Sequence, residues 1–526
     1  MVKKLLILFV PASVDWRRRR ARWIMAAVAA AALTAGGLMA VADTPTLAEM
    51  DRYVAQMAAQ DLEILAKLKP RQVWVSPDGR PRNTGAKDAP IDLKTACTSK
   101  KLVPPGTIVW IGAGNYEMGD LKPEGICGTR EKPVIFRAVP GARATVMGQI
   151  SSNKGCDHIW WWGVEVTGPF GSGVETRDGG DGLKFINLVI HDKHSVQPPA
   201  KKEPSAMGVA GWDTGSDHEF YGNIVFRNGW NSLDHGFYSQ NTAAHTAKRY
   251  VDNVVFENTG EGFQIYGSAP FLRNIYFEGN AAFCTGLVPY APELAREPEM
   301  NILIGGSKHP LTCAIIRNNC TYHPSLAAKR GVDIGYRGNP NSQLLIESNY
   351  FTGGSSAMEL KNVAEATVRN NTFWSPGGMV SVTVAPAEVI EKAGLPPARV
   401  VFENNTYLDN GRFSLATLHA TTKSGQTDKL RPGRNGRPAE VYVFKRVNRY
   451  EPDRVHLVLY NWPKMDTVAL DLGDVLKTGQ KFRIVEVHDI WGAPALAGTY
   501  DGRPIRFQPS GPYGPEFGCY LLFRES

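Results

Sequence analysis

The sequence predicts an all-β protein: a right-handed parallel β-helix with an N-terminal helical cap and a C-terminal antiparallel β-sandwich domain. A short phrase, an asparagine followed by two residues and a large apolar one, recurs along the middle of the chain. A second strand type alternates with it, as HGFYSQN at His235–Asn241 and EGFQIYG at Glu261–Gly267. Towards the C-terminus the pattern changes to regular alternation of apolar and polar residues, which is typical of antiparallel strands.

The asparagine phrase sets the period of the predicted solenoid. Its copies are GNIVF at Gly222–Phe226, DNVVF at Asp252–Phe256, RNIYF at Arg273–Phe277, INLVI at Ile186–Ile190, RNNCTY at Arg317–Tyr322, ESNYF at Glu347–Phe351, RNNTF at Arg369–Phe373 and ENNTY at Glu403–Tyr407. The interval from Asn253 to Asn274 is among the shortest and indicates a basic period of roughly 21 to 22 residues, with longer loops inserted. Asparagine tolerates the backbone angles of a corner, and stacked copies can hydrogen-bond as a ladder. We therefore expect Asn223, Asn253 and Asn274 at equivalent corners of stacked coils.

On these residues the chain resembles secreted bacterial right-handed parallel β-helix proteins of the pectin-lyase-like superfamily. The similarity covers residues 73 to 418 and opens with VSPDG at Val75–Gly79, NTG at Asn83–Gly85 and PGTIVWIGAGNY at Pro105–Tyr116. Members of this superfamily include polysaccharide lyases, glycoside hydrolases, epimerases and phage-type spikes. The resemblance therefore implies the fold and leaves the reaction open.

Residues 1–42 are predicted to be a secretory signal. They hold seven basic residues, one acidic residue, an apolar run from Trp23 to Val41 and an A-x-A site that ends at Ala42. We expect cleavage after Ala42 and a secreted or periplasmic protein; an uncleaved membrane anchor is the alternative, because the run approaches the length of a membrane span. The segment carries +6 of the total formal charge of +8, which leaves +2 for the rest. A nearly neutral chain argues against a nucleic-acid-binding protein.

Residues 43–72 are predicted to form a capping helix. Thr46 and Glu49 have the spacing of a capping box, and apolar residues recur behind them near helical spacing. We expect this helix to cover the open N-terminal end of the β-helix, which spans residues 73–420. Unpaired backbone groups at that end would otherwise promote aggregation.

Residues 421–439 are rich in Lys, Arg, Gly and Pro and are predicted to be a linker. The following segment, residues 440–526, is predicted to be a β-sandwich, because apolar residues alternate along it. They are Val455, Leu457, Leu459, Val468, Leu470, Leu472, Val485, Val487, Ile505 and Phe507. Two interpretations are open: a small β-domain like those appended to secreted carbohydrate-active enzymes, or a module that packs over the last coil.

The seven cysteines cannot all pair. Cys97 and Cys127 are candidates for a bridge near the first coil, and most of the others are expected to be buried small apolar residues. No metal-binding cysteine spacing, phosphate loop, nucleophile elbow or zinc motif occurs in the sequence, so no metal site is assigned. We expect the chain to be a monomer.

Aligning the second strand type divides its residues between core and solvent. The residues expected to point inward are Phe237, Ser239, Phe263, Ile265, Ile302, Ile304, Val332, Ile334, Met358 and Leu360. Those expected to point outward are Tyr238, Gln240, Gln264, Tyr266, Asn301, Leu303, Asp333, Glu359 and Lys361. His235 and Glu261 occupy matching positions just before their strands, and the sequence leaves open the register of Glu175 and Asp213. Equivalent positions on successive coils lie about 4.8 Å apart, so the outward residues form one polar face.

Six residues of this face are candidate catalytic groups: His235, Tyr238, Glu261, Asp333, Glu359 and Lys361. His235 beside Glu261 suits a general base oriented by a carboxylate; an ordinary surface ion pair is the alternative. Asp333 and Glu359 on adjacent coils suit the close carboxylate pair of a retaining glycosidase, and the same pair suits calcium, the one candidate cofactor. The candidate sugar-binding residues are amides and aromatic rings: Gln240, Gln264, Tyr266, Trp212 and Trp230.

The sequence therefore predicts a secreted carbohydrate-active enzyme that acts on a polysaccharide, with a polysaccharide lyase as the first interpretation. In a lyase, His235, Tyr238 and Lys361 would remove the proton beside a uronate carboxylate and neutralise that carboxylate. We expect His235 to point outward, so that its replacement leaves folding intact. The alternatives are a glycoside hydrolase that uses Asp333 and Glu359, and a non-catalytic carbohydrate-binding or adhesin β-helix.

Overall fold

The computed structural model describes residues 44–525 except for 153–154, 170, 178, 194–205, 213–214, 268–271, 289–297, 308, 325–329, 337–339 and 434–435. The predicted signal segment and Asp213 lie outside the described residues. The chain forms a right-handed parallel β-helix followed by an antiparallel β-domain, as the sequence predicts. Each complete coil contributes one strand to each of three parallel sheets, here called sheets 1, 2 and 3.

Sheet 1 contains twelve parallel strands, one from each successive coil. They are Arg71–Val75, Thr107–Ile111, Val134–Ala138, Ile159–Trp162, Lys184–Ile186, Glu219–Tyr221, Lys248–Val251, Leu272–Glu278, Leu311–Arg317, Ser342–Glu347, Glu365–Arg369 and Arg399–Glu403. Inward side chains of this sheet stack on one another along the axis; the rings of Phe136 and Trp161, for example, are 4.5 Å apart.

Sheets 2 and 3 begin together, in the two long strands Gly114–Leu121 and Ala144–Ser151, and then separate. The further strands of sheet 2 are Glu165–Thr167, Val189–His191, Ile224–Phe226, Val254–Phe256, Ala281–Phe283, Cys320–Tyr322, Tyr350–Thr352, Thr372–Trp374, Thr406–Leu408 and Lys429–Arg431. Those of sheet 3 are Val174–Glu175, Val209–Gly211, Phe237–Ser239, Phe263–Gly267, Ile302–Gly306, Val332–Ile334, Ser356–Val363 and Gly378–Val384. The last strand of sheet 2 lies within the predicted linker and pairs with Thr406–Leu408.

An asparagine ladder fixes the corner between sheets 1 and 2. Its members are buried and bond to one another across successive coils: Asn223, Asn253, Asn280, Asn319, Asn349, Asn371 and Asn405. Each amide nitrogen also donates to a main-chain carbonyl, as Asn319 Nδ2 does to Phe277 at 3.0 Å. The prediction is confirmed for Asn223 and Asn253 and is wrong for Asn274. Asn274 lies inside a sheet 1 strand with φ of +54°, and Asn280 takes the corner of that coil.

The N-terminal helix spans Leu47–Lys67, and its capping box is formed by Thr46 and Glu49. It runs along the outer face of sheet 1 instead of lying over the open end of the first coil. Met50 and Val54 pack into a cluster with outward side chains of that sheet, and Asp61 lies 2.6 Å from Nζ of Lys184. The amphipathic pattern of the helix predicts that one side of it is buried. That side packs on the apolar outward side chains of sheet 1.

Three short helices complete the solenoid. The helix Leu93–Thr98 buries Leu93 and Cys97 in the core beside the first coils. The helix Ala387–Lys392 lies between the last strands of sheets 3 and 1. The helix Leu415–Thr422 follows the last coil and places Leu418 in the same core, so this helix packs on the C-terminal coils.

The C-terminal domain has a five-stranded antiparallel sheet in the order Val441–Val447, Arg454–Asn461, Phe517–Glu525, Lys481–Glu486 and Leu496–Thr499, with a two-stranded sheet of Val468–Leu470 and Ile505–Phe507. A 3-10 turn, Val487–Asp489, follows the fourth strand in the chain. One face of the larger sheet packs on the two-stranded sheet, and the other packs on the outward side of sheet 2. The domain therefore covers a flank of the solenoid, along sheet 2 as far as Leu408.

All seven cysteines are free thiols, so the expected bridge between Cys97 and Cys127 is not formed. Six of them are buried, as expected, and burial raises the pKa of the Cys97 thiol above its ordinary value. Among the described helices, none is both long and apolar enough to cross a membrane.

Candidate functional site

The outward side of sheet 3, here called the sheet 3 face, has the register that the sequence predicts. Tyr238 pairs with Gln264, Gln264 with Leu303, Leu303 with Asp333, and Asp333 with Glu359. The five inward pairs are likewise aligned, and their apolar members are fully buried in the core. Glu175 joins the same column, because it pairs with Ala210 and Ala210 pairs with Tyr238. Inward and outward side chains alternate strictly along each strand of sheet 3, and a glycine precedes most of these strands. Both features fix the alignment.

The middle of the face is neutral and aromatic. Nε2 of Gln240 donates to the hydroxyl of Tyr238 at 2.9 Å, and the ring of Trp212 meets Tyr238 edge-on at 5.1 Å. Further along the axis, Tyr266 meets Tyr336 edge-on at 5.7 Å. Gln240 is only 4% exposed, whereas Tyr238, Gln264 and Tyr266 are half-buried. These phenol and amide groups suit the polar rim and apolar face of a sugar.

Trp230, the other candidate aromatic, is half-buried, and its backbone N–H donates to Asp234 at 2.9 Å. It lies in the turn before the strand Phe237–Ser239, among groups that hold this turn together. Asp234 also accepts a hydrogen bond from Asn231 at 3.1 Å. Trp230 is therefore part of a turn beside the sheet 3 face.

A four-charge cluster closes the face at its C-terminal end. Nζ of Lys361 lies 2.6 Å from Oδ2 of Asp333 and 3.3 Å from Oε2 of Glu359. Arg330 adds Nε at 2.6 Å from the same Glu359 oxygen and Nη1 at 3.6 Å from Asp333. The two carboxylate oxygens share one ammonium and are thus at most about 5.9 Å apart, the sum of its two distances. Close carboxyl groups of this kind, about 5 to 5.5 Å apart, occur in retaining glycosidases.

The two carboxylates of the cluster have different environments. Asp333 is 0% exposed, and no described residue forms a hydrogen bond with its Oδ1. Burial raises the pKa of Asp333 above its ordinary value, although Lys361 and Arg330 act in the opposite direction. Glu359 is half-buried and keeps the closer contact with Arg330. The two carboxylates therefore differ in burial: Asp333 is enclosed, whereas Glu359 is partly open to solvent.

His235 and Glu261 lie at matching positions, as predicted, but the expectation that His235 points outward is wrong. His235 is 2% exposed and Glu261 is 8% exposed. Nδ1 of His235 lies 2.6 Å from Oε2 of Glu261 and 3.1 Å from the Glu261 backbone nitrogen. The two residues occupy a corner before the strand, where neighbouring turns cover them, so the position-by-position alternation of a strand does not apply there. This burial contradicts an ordinary surface ion pair, whereas a catalytic role for His235 oriented by Glu261 stays a prediction.

The sequence also missed a polar group at the N-terminal end of the face. Oγ of Ser151 donates to Asp120 at 2.5 Å, and Nε2 of Gln149 donates to the Ser151 hydroxyl at 2.7 Å. Glu175 lies in register with Ser151 on the next coil and pairs with Arg177 at 3.0 Å. Asp120, Gln149 and Ser151 belong to two long bulged strands without the repeated phrase, so aligning the repeats does not predict their positions. Arg330 and Tyr336 were missed because they flank the superimposed strand.

Every described cation of the sheet 3 face has a carboxylate partner. Lys122 pairs with Asp120 at 2.9 Å, and the pairs of Arg177, Arg330 and Lys361 are given above. Among the described residues, no group of three or more His, Cys, Asp or Glu side chains is arranged to hold a metal ion. The described residues of the face are therefore balanced in charge, with aromatic and amide groups between two charged ends.

No protein-family model matches the sequence, and no characterised protein matches it in sequence. Among solved structures, the chain is similar to a pectate lyase, Pel9A, with 17% identity over 70% of this chain and 80% of that chain and a TM-score of 0.42. It is also similar to a GH136 lacto-N-biosidase from Eubacterium ramulus (14% identity, 71% and 69% of the two chains, TM-score 0.43) and to the Dettilon tailspike protein (11%, 85% and 93%, 0.39). At these identities the likeness concerns the fold alone.

Proposed function

We propose that this protein is a carbohydrate-active enzyme, a glycoside hydrolase that binds a glycan along the sheet 3 face and cleaves it at Asp333 and Glu359. The observation that carries the proposal is the closeness of these two carboxylates in unlike environments. Asp333, whose pKa is raised by burial, suits the general acid that protonates the leaving oxygen. Glu359, held by Arg330 at 2.6 Å, suits the ionised nucleophile.

The mechanism requires the glycan to open the cluster. Asp333 is fully buried, and Lys361 bridges the two carboxylates. A glycosidic oxygen therefore reaches Asp333 only after side chains over it, Lys361 among them, have moved. Tyr336 interacts with Arg330 of the cluster and meets Tyr266 edge-on, and we expect this pair of rings to hold the adjoining sugar during this step.

The charge balance of the face favours a neutral glycan over a polyuronate. A lyase must neutralise the uronate carboxylate in the transition state, and cations already paired at 2.6 to 3.0 Å are poorly placed to do so. The first interpretation from the sequence, a lyase with His235 as its exposed base, loses further support because His235 is buried. A lyase remains the second candidate, because the cluster holds two cations, Arg330 and Lys361, and the phenol of Tyr336 interacts with Arg330.

A product assay with neutral and uronate-containing polysaccharides tests the proposal. A hydrolase releases reducing ends without an ultraviolet-absorbing product, whereas a lyase leaves an unsaturated sugar that absorbs. We expect Asp333→Asn and Glu359→Gln each to lower turnover on the order of 100-fold or more, and the anomeric configuration of the product to be retained. Glu365→Gln, at an exposed glutamate of sheet 1, is the matched control and should keep full activity. Unsaturated products, or full activity of both variants, would refute the proposed mechanism. Binding of a polysaccharide without turnover would favour a non-catalytic adhesin instead.

A further inference from the structure

A second cleft lies at the junction between the solenoid and the C-terminal domain. It has a volume of about 690 Å³ and is here called the junction cleft. Its solenoid side includes Trp374, at the end of a sheet 2 strand, and Arg412, after the last coil. Its other side includes Lys464, Tyr513 and Glu516 of the C-terminal domain. A concave space between two domains, with aromatic and charged walls, is a common setting for a small-molecule site.

The charges of the junction cleft do not balance, in contrast to those of the sheet 3 face. Three cations line it, Arg412, Arg437 and Lys464, against one carboxylate, Glu516. Oε2 of Glu516 lies 2.5 Å from Arg437 and 2.8 Å from Lys464, so one anion serves two cations. Arg412 donates to the Pro376 carbonyl at 3.5 Å, and no carboxylate among the described residues pairs with it. The lining therefore keeps an excess of two positive charges.

Arg437 lies between the cleft and two tryptophan rings. Its Nε is buried and has no acceptor among the residues that the structure describes. The guanidinium lies over the ring of Trp374, 5.5 Å from the ring centre, and near that of Trp462 at 6.0 Å. These rings restrict the orientation of the guanidinium. The Arg437 side chain is 41% exposed and lines the cleft, so its guanidinium is available to an oxyanion there.

Tyr513 adds an oriented aromatic ring to the wall. It is half-buried, and its hydroxyl donates to Oε1 of Glu257 on the solenoid at 2.6 Å. The ring is thereby held in place beside the cations. An aromatic ring next to guanidinium and ammonium groups suits a ligand that has both an apolar ring face and an anionic substituent.

We propose that the junction cleft binds an anionic sugar unit. Arg412, Arg437 and Lys464 take the oxyanion, and the sugar ring lies against Tyr513. The oxyanion is a carboxylate or a sulfate, which share the acceptor geometry that a guanidinium recognises. This site is separate from the sheet 3 face and does not depend on the proposed hydrolysis, because it concerns binding alone.

Isothermal titration of the whole chain tests the site with four probes: D-glucuronate, glucose 6-sulfate, glucose and inorganic sulfate. We expect saturable binding of at least one of the two anionic sugars, which distinguishes the carboxylate from the sulfate. We expect no binding of glucose and weaker binding of inorganic sulfate. The double variant Arg412→Gln and Lys464→Gln should weaken the anionic sugar about tenfold or more, because two charge-assisted contacts are lost. Its melting temperature, measured in parallel, should match that of the unsubstituted chain.

The matched control replaces two exposed cations of the same domain, Arg503→Gln and Lys477→Gln, and should bind as the unsubstituted chain does. The proposal fails if neither anionic sugar binds, if glucose binds equally well, or if the double variant at the cleft keeps full affinity. Inorganic sulfate that binds as tightly as the sugars would overturn the assignment to a sugar. Loss of hydrolysis by Asp333→Asn without any change in these titrations would separate this site from the proposed active site.

Discussion

Nε2 of His488, in the C-terminal domain, lies 3.0 Å from Oε1 of Glu257 in the solenoid, and Nδ1 of the same ring lies 2.7 Å from Glu486. Burial acts to lower the pKa of His488, but these hydrogen bonds outweigh it and raise the pKa from 6.5 to about 9. The ring packs on Phe256 with its centre 4.5 Å away, and Tyr513 donates to the same Glu257 oxygen. A protonated histidine thus links the two domains.

This link predicts a loss of stability at alkaline pH. The folded-state pKa is raised, so its contribution is fully present below pH 6.5 and is lost as the pH rises through about 9. His488→Gln should lower the free energy of unfolding at pH 6 by on the order of 3 kcal/mol, and the difference from the unsubstituted chain should shrink by pH 10. Denaturant unfolding across this pH range measures it. Exposed His245→Gln is the control, and a difference that stays constant with pH would contradict the prediction.

Two buried carboxylates should respond in opposite ways to loss of charge. Burial opposes ionisation of Glu165, yet hydrogen bonds from His191, Arg143 and Thr145 outweigh it and lower its pKa to about 2. Its stabilisation is present above pH 4.5 and is lost as the pH falls through about 2. Glu165→Gln should therefore cost on the order of 3 kcal/mol at pH 7, measured by denaturant unfolding.

Asp333 provides the contrast, because its pKa is raised by burial. A carboxylate whose ionised form is less stable in the folded chain than in water works against folding at neutral pH. Asp333→Asn should leave the free energy of unfolding at pH 7 unchanged or higher while it abolishes turnover. A strongly destabilised Asp333→Asn would show that its ion pairs with Lys361 and Arg330 outweigh its burial.

The asparagine ladder should be sensitive to loss of a single member. Asn319 is fully buried; its Nδ2 donates to Asn349 and Phe277, and its Oδ1 accepts from Asn280. Asn319→Ala would leave several buried groups without partners, at about 1 to 3 kcal/mol each, so we expect a loss on the order of 3 kcal/mol or more in denaturant unfolding. Asn404→Gly, at an exposed corner with φ of +57°, is the control, because glycine accepts that conformation freely. If Asn319→Ala and Asn404→Gly were equally stable, the prediction that the ladder stabilises the fold would be wrong.

We expect Lys184, which is buried under the N-terminal helix, to hold that helix on sheet 1. Nζ of Lys184 lies 2.6 Å from Asp61 of the helix and 3.2 Å from Glu219 of sheet 1. Lys184→Met would leave buried carboxylates without this partner, so we expect a loss on the order of 3 kcal/mol and earlier proteolysis within the helix. Lys67→Met removes an exposed pair with Glu63 and should change stability by no more than about 0.5 kcal/mol. Unchanged proteolysis of Lys184→Met would mean that apolar packing alone holds the helix.

The sequence by itself determined the coil and the register of the sheet 3 face. Strict alternation places Phe237 and Phe263 in the core, and it follows that Tyr238 and Gln264 point outward one above the other. The same reasoning brought Asp333 beside Glu359, because a period of two leaves only one alignment that buries the apolar set. These features depend on the order of apolar and polar residues along each strand, which the sequence shows directly.

Tertiary structure decided what lies over those positions. The phrases around Asn274 and Asn280 both suit a corner. The pairing of Tyr250 with Phe277 in sheet 1 places Asn280 in register with Asn253. His235 sits at a matching position, but the turns packed around it bury it, and no local pattern records such neighbours. The patterns of the N-terminal helix and of the C-terminal strands each predict a buried face. They do not identify the surface that packs against it. Contacts between residues far apart in the chain supply that answer, as Asp61 with Lys184 and Glu257 with His488 show.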